Sequence, residues 1–148
     1  MSGVSALKHG GWAGALTYFN RSRGHTYTYS VWYAHGRGNA PVSGGMLDLT
    51  RTVDRIQGPD LVVIGHHHER VAKRFTHFCV EGATVRPRDT IGIIAGCGLQ
   101  GYPVQPDEDA DAVTYSEIAG YRPTSIGWVT SRFRWVGHHH ELEHDATV

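Results

Sequence analysis

The histidines are the residues of this chain whose spacing could do chemistry. The 148-residue sequence has eleven of them, and six stand in two triplets, His66 to His68 and His138 to His140. The first triplet follows four apolar residues and one glycine in the stretch DLVVIGHHHER. Imidazole is a good ligand for zinc, manganese, iron and nickel. In an extended segment alternate residues share a side, so His66 and His68 would face one pocket while His67 pointed away.

The elements around this triplet favour a ligand site over the alternative, a polar loop in a protein without metal. Thr26 to Ala34 is rich in threonine, tyrosine and tryptophan, which is typical of a strand, and His35 follows it. The stretch GMLDLTRTVDRIQGPD then has apolar residues at helical spacing before the apolar strand Asp60 to Gly65. Such a βαβ crossover brings both strand ends to one edge of a sheet, where open α/β sheets bind ligands. We therefore expect His35 beside the triplet.

The rest of the chain predicts mainly strands. We expect a hairpin of Ala15 to Phe19 with Thr26 to Ala34, and antiparallel strands after the crossover. The fold class expected is therefore β-rich α/β or α+β, with a single domain over 1–136 and a polar, frayed, His-rich tail over 137–148. SALKHGGWAG is expected to be a linker or a broken element. The later strands are expected at Val71 to Val80, Thr90 to Ala95 and Ile126 to Val136.

Composition limits the partners and the compartment. Lys plus Arg equals Asp plus Glu at 14 each, so no net field draws the chain to a membrane surface, and nucleic acid is expected only as a substrate. The two cysteines, Cys79 and Cys97, form no disulfide framework and suit a reducing compartment. No signal peptide and no membrane-spanning apolar run is found, so we expect a soluble, cytoplasmic protein.

The order of these motifs resembles a known family. An isolated HG at His35, then an apolar strand headed by Asp60 that runs into Gly-His-x-His, is similar to the C-terminal half of the calcineurin-like metallophosphoesterases. The stretch YSEIAGYRPTSIGWV, 115–129, is also similar to the closing segment of some phage and prokaryotic members. The resemblance covers the chain after about Ala15. It implies that this chain forms the β-rich half of the family's αββα sandwich.

The resemblance also implies a set of site residues. His35 and His66 would bind the second of two divalent ions (Mn, Zn, Fe or Ni), His68 would reach the first, and Gly36 and Gly65 would let the backbone pass close to the ions. The reaction would be hydrolysis of a phosphomonoester or phosphodiester by a metal-held hydroxide. Arg37, next to the HG, would contact the phosphate through its guanidinium, with a solvent-exposed loop arginine as the alternative.

The family's site also uses an earlier half, with the motifs Asp-x-His, Gly-Asp-x-x-Asp and Gly-Asn-His. None of the three occurs in this sequence. The chain is therefore expected to supply only the C-terminal histidine ligands, and no catalytic residue is assigned. We expect a phosphoester substrate, and a complementing N-terminal half or self-association to complete the site. The alternative is a non-catalytic remnant, or a His-rich module that binds one metal or another protein.

Three other signals have simpler explanations. The alternating aspartates of DEDAD, 107–111, have the spacing of a calcium loop, but Ala112 stands where glycine is expected, so a solvated acidic loop is favoured. The second triplet, His138 to His140, lies in a polar segment that would not preorganise it. Trp128 and Trp135 could form a substrate wall, although core packing explains them equally well.

Overall fold

A computed structural model describes residues 2–10, 12–22, 25–36, 44–98, 118, 126–136 and 141–147. Within these residues the chain forms a mixed α/β fold that is rich in strands, as the sequence predicts. The elements are β1 Ser2–Gly10, β2 Ala13–Ser22, β3 His25–Ala34, α1 Gly44–Arg55, β4 Leu61–Ile64, β5 Arg70–Glu81, β6 Thr84–Cys97, β7 Gly127–Trp128, β8 Thr130–Val136 and β9 Glu141–Thr147.

The main sheet has the strand order β1-β2-β3-β4-β6-β5, with β7 paired to β6, and β8 and β9 form a separate pair. The predicted crossover is confirmed, because β3 and β4 run parallel and α1 lies between them in sequence. Their register sets Val31 opposite Leu61 and Ala34 opposite Ile64. The two strands therefore end at the same level of one sheet edge.

The prediction that only antiparallel strands follow the crossover is wrong for β6. This strand runs parallel to β4, while β5 pairs antiparallel with its outer side. The reason is the distribution of apolar residues. Ile91, Ile93 and Ile94 of β6 are buried, whereas Lys73 and Arg74 of β5 are exposed. The more apolar strand takes the interior of the sheet and the charged strand takes its edge.

Helix α1 covers one face of the sheet through the predicted apolar stripe. Leu49 and Val53 are buried and pack in one cluster with Val62, Ile64 and Ile94. Gly58 and Pro59, which cannot continue a helix, follow α1 before β4 begins. The helix thereby connects the end of β3 to the start of its parallel neighbour on one side of the sheet.

Strand β8 covers the opposite face. Tyr29, Leu61, Ile91 and Ile93 form the core there, and the ring of Phe133 stacks on Tyr29 with centroids 3.8 Å apart and planes 8° apart. Burial raises the pKa of the Tyr29 hydroxyl well above its usual range, so this phenol stays neutral. The described sheet is thus covered by a helix on one side and by strands on the other.

Two segments form strands that the sequence does not predict. The prediction of a linker or a broken element for SALKHGGWAG, 5–14, is wrong, because its first six residues belong to β1, which pairs with β2 from Ser2 opposite Asn20 to Gly10 opposite Ala13. The expected frayed tail contains β9, which pairs with β8 along its whole length. Each pairs with a neighbour, β2 or β8, whose sequence is more typical of a strand. The hydrogen bonds to that neighbour outweigh the low intrinsic strand propensity of β1 and β9. The domain boundary at 136 stays a prediction.

No helix among the described residues is long and apolar enough to cross a membrane.

Gly92 of β6 provides a test of the packing under α1. A Cβ atom at this position would lie 2.6 Å from Cε2 of Phe75 and 3.1 Å from Cδ1 of Leu49. We expect Gly92→Ala to lower the free energy of unfolding by about 1–3 kcal/mol through overpacking, measured by chemical denaturation. Gly98→Ala is the control, because nothing lies within 4 Å of its added methyl group. Equal stability of the two variants would contradict this packing.

Candidate metal site

His35 and His66 meet where the parallel strands β3 and β4 end. The Gly65 amide donates to the Ala34 carbonyl at 3.0 Å, which extends the pairing one residue past β4. Beyond it, Nε2 of His35 lies 2.7 Å from Nδ1 of His66, although 31 positions separate the two residues in sequence. The predicted proximity is confirmed. Their role as metal ligands stays a prediction.

The backbones at these strand ends lie so close together that glycine is required. Gly36 has φ +85°, and a Cβ atom there would lie 2.5 Å from the Gly65 carbonyl oxygen. A Cβ atom at Gly65 would lie 3.3 Å from the carbonyl oxygen of His35. The resemblance implied that these glycines let the backbone approach ions. In the structure they let the two strand ends approach each other, and this brings the histidine rings together.

The triplet does not continue the strand. His66 has φ +71° and His68 has φ +56°, so both adopt the left-handed conformation that few side chains other than histidine, asparagine and aspartate enter. The triplet was predicted to place His66 and His68 on one side and His67 on the other through strand alternation, and that reason is wrong. The separation itself is present: His66 and His68 are exposed, with ring centroids 6.3 Å apart, whereas the His67 side chain is only 7% exposed.

His67 attaches the middle of the triplet to α1. Its Nε2 lies 3.0 Å from Oδ2 of Asp48. In the first turn of the helix, a Cβ atom at Gly45 would lie 3.2 Å from Cβ of His67 and 2.9 Å from Oε2 of Glu69. The helix can therefore approach the loop only with glycine there. Sequence reasoning assigned no role to His67 or Asp48, and the adjacent Gly44 and Gly45 were the available signal of a close approach.

The environment of His66 favours its neutral form. Desolvation lowers the pKa of His66 below 6.5, and the neighbouring rings of His35, His68 and His67 lower it further, because each would repel an imidazolium. A metal ion binds the neutral ring. His66 is thus available as a ligand at neutral pH.

The histidine pair fits two positions of a metal ion. Two nitrogens bound tetrahedrally at normal zinc distances lie about 3.3 Å apart, so the rings would have to separate only slightly from 2.7 Å. In the described parts of the chain no group of three or more His, Cys, Asp and Glu side chains could hold an ion. Among these residues the pair therefore belongs to no larger ligand group, and metal binding at His35 and His66 stays a prediction.

Trp12 borders the pair on the side of β2. Its carbonyl accepts the His35 amide at 2.9 Å, and its ring centroid lies 5.0 Å from that of His35. The side chain is 76% exposed. Sequence reasoning missed this residue because it placed Trp12 in a linker. The pairing of Ala13 with Ala34, which brings Trp12 level with His35, lies two residues before the predicted start of this strand at Ala15.

Arg37 and the acidic loop 107–111 lie outside the described residues, so their predicted roles stay predictions. Comparisons of the chain with protein-family models, with curated proteins and with solved structures find no match. The assignment of this site therefore depends on its geometry and on the resemblance of its motifs.

The His67 to Asp48 bond can be tested with a matched pair of variants. Asp48→Ala would leave a buried ring nitrogen of His67 without this partner, and we expect a loss of about 1–3 kcal/mol in the free energy of unfolding relative to Asp54→Ala. Asp54 is exposed on the same helix, so both variants gain the same helix propensity. Denaturant titration measures the difference. Equal stability would show that the bond does not hold the triplet.

The lowered pKa of His66 predicts a titration below pH 6.5, measured by NMR. Replacing His35 with alanine removes one repelling neighbour and some desolvation, so the pKa of His66 should rise. Because the unfolded chain binds this proton at higher pH than the folded chain, the contribution of His66 to stability is present above pH 6.5 and decreases as pH falls below it. A native titration at or above 6.5 would contradict desolvation and ring repulsion as the causes.

Proposed function

We propose that this chain supplies the histidine ligands of a metal-dependent phosphoesterase. His35 and His66 would share one divalent ion, Mn, Zn, Fe or Ni, and His68 would reach toward a second. The observation that carries the proposal is the 2.7 Å approach of two imidazole nitrogens from residues 31 positions apart. It occurs at the carboxyl ends of parallel strands, where open α/β sheets bind ligands.

The sheet with α1 on one face and β8 on the other would then be the β-rich half of an αββα sandwich. When bound, the ions supply a nucleophilic hydroxide and neutralise charge on the phosphoryl oxygens. The chain's own part is to present imidazoles at fixed positions, with His67 and Asp48 holding the loop. Carboxylate and asparagine ligands matching the family's earlier motifs do not occur in this sequence. We propose that a complementing chain or a second copy supplies them.

A second candidate is a module that binds one ion without catalysis. Two observations favour it. The His68 ring lies 6.3 Å from that of His66, so it does not converge on the nitrogens of the pair, and no three-residue ligand group is found in the described part of the chain. A single ion held by His35, His66 and water would then tolerate the loss of His68.

Metal titration tests the ligand assignment. We expect zinc or manganese to bind the wild-type chain and the affinity to fall more than about tenfold in His35→Ala and in His66→Ala, measured by isothermal titration calorimetry. His25→Ala is the matched control, because His25 begins β3 at the end opposite His35. If metal binds equally to all four proteins, His35 and His66 are not ligands.

Hydrolysis separates the two candidates. The substrates are an activated phosphomonoester and an activated phosphodiester, with manganese, zinc or nickel added and a chelator as control. Turnover that requires metal and disappears in His66→Ala and His68→Ala supports the phosphoesterase. Binding of one ion per chain that His68→Ala leaves unchanged supports the single-ion module, whereas absence of turnover alone also fits a half-site without its complement. Absence of metal binding excludes both.

A further inference from the structure

We propose that Trp12 is a stacking platform beside the histidine pair, so that the phosphoester bound there carries a planar aromatic ring. This inference rests on the proposed function, because it assigns the phosphoryl group to the histidines and the ring to the indole. The ligand chemistry is that of nucleotides and of aryl phosphates.

The first support is the fixed position of Trp12 relative to His35. Ala13 pairs with Ala34 in the β2 and β3 ladder, so the residues just outside the ladder, Trp12 and His35, are at the same level. The Trp12 carbonyl accepts the His35 amide at 2.9 Å. The backbone that carries the indole is thus bonded to the backbone that carries the candidate ligand.

The second support is the exposed surface of the indole. The Trp12 ring is tilted by 59° to the His35 ring with centroids 5.0 Å apart, so it contacts His35 without a parallel stack. The side chain nevertheless stays 76% exposed. Aromatic rings stack with centroids about 4.5–7 Å apart. Any of the nucleobases can stack on an aromatic side chain in this way. A ring joined to a phosphoryl group at His35 and His66 would be within reach of this surface.

Exposure alone does not carry the inference, as Trp128 shows. This residue is 74% exposed and pairs with Gly96 through β7, but no ring contact joins it to a histidine among the described side chains. Trp12 differs from it by its contact with a candidate ligand. The two tryptophans therefore form a matched pair with nearly equal exposure and different positions relative to the site.

The test uses the full chain with zinc. Zinc binding is measured first, without any phosphoester. Adenosine 5′-monophosphate and glycerol phosphate are then titrated, because both are phosphomonoesters and only the first has a planar ring. We expect the nucleotide to bind the wild type more tightly, and Trp12→Leu to weaken nucleotide binding about tenfold with glycerol phosphate unchanged. Trp12→Phe should restore most of the nucleotide affinity, and Trp128→Leu should leave both affinities unchanged.

The outcomes distinguish this inference from the proposed function. If zinc binds but the nucleotide binds no more tightly than glycerol phosphate, or Trp12→Leu does not weaken it, the platform is overturned and the metal site stands. If zinc does not bind, the proposed function fails and this inference with it. Phenyl phosphate separates the two ligand sources: weaker binding than the nucleotide assigns a nucleobase, and equal binding assigns any aryl ring.

Discussion

The parallel register of β3 and β4 is the constraint on which the histidine pair depends. A carboxylate just before β4 helps to set it: Oδ2 of Asp60 accepts the amide of Ser30, in the middle of β3, at 2.7 Å and the Ser30 hydroxyl at 2.8 Å. Because four residues follow Ser30 in β3 and β4 is four residues long, the two strands end at the same level. A slip of one residue would turn either histidine to the other side of the sheet. The contact at the start of β4 thus helps to determine how His66 and His35 meet after its end.

The loop after β4 converts this alignment into a cluster of imidazoles. Gly36 and Gly65 bring the two backbones together, and left-handed conformations at His66 and His68 turn the chain sharply on both sides of His67. The helix contributes as well, since His67 bonds to Asp48 on α1. The packing of α1 on the sheet and the position of the triplet therefore depend on each other, because the same helix makes both contacts.

The crossover and the meeting of His35 with His66 could be predicted from sequence because both follow from hydrophobic period and strand order. What could not be predicted depends on tertiary pairing. The β1 segment has few β-branched residues, so it forms a strand because it pairs with β2. Strands β5 and β6 compete for the position beside β4, and β6 occupies it. The left-handed conformations of His66 and His68 lie on either side of the His67 contact with Asp48, and the sequence of the triplet does not show this tertiary contact.

The backbone around the histidine pair adopts conformations that few residues other than glycine enter. The left-handed conformations of His66 and His68 are unfavourable compared with an ordinary turn, and desolvation and the neighbouring rings, which lower the pKa of His66, disfavour an imidazolium there. These features occur within the three positions of the triplet, which His35 faces, at the edge where α/β sheets bind ligands. In the contact between the two rings one imidazole donates an N–H to the other, so a single proton lies between the facing nitrogens. The close strand ends and their glycines therefore hold the two rings in contact.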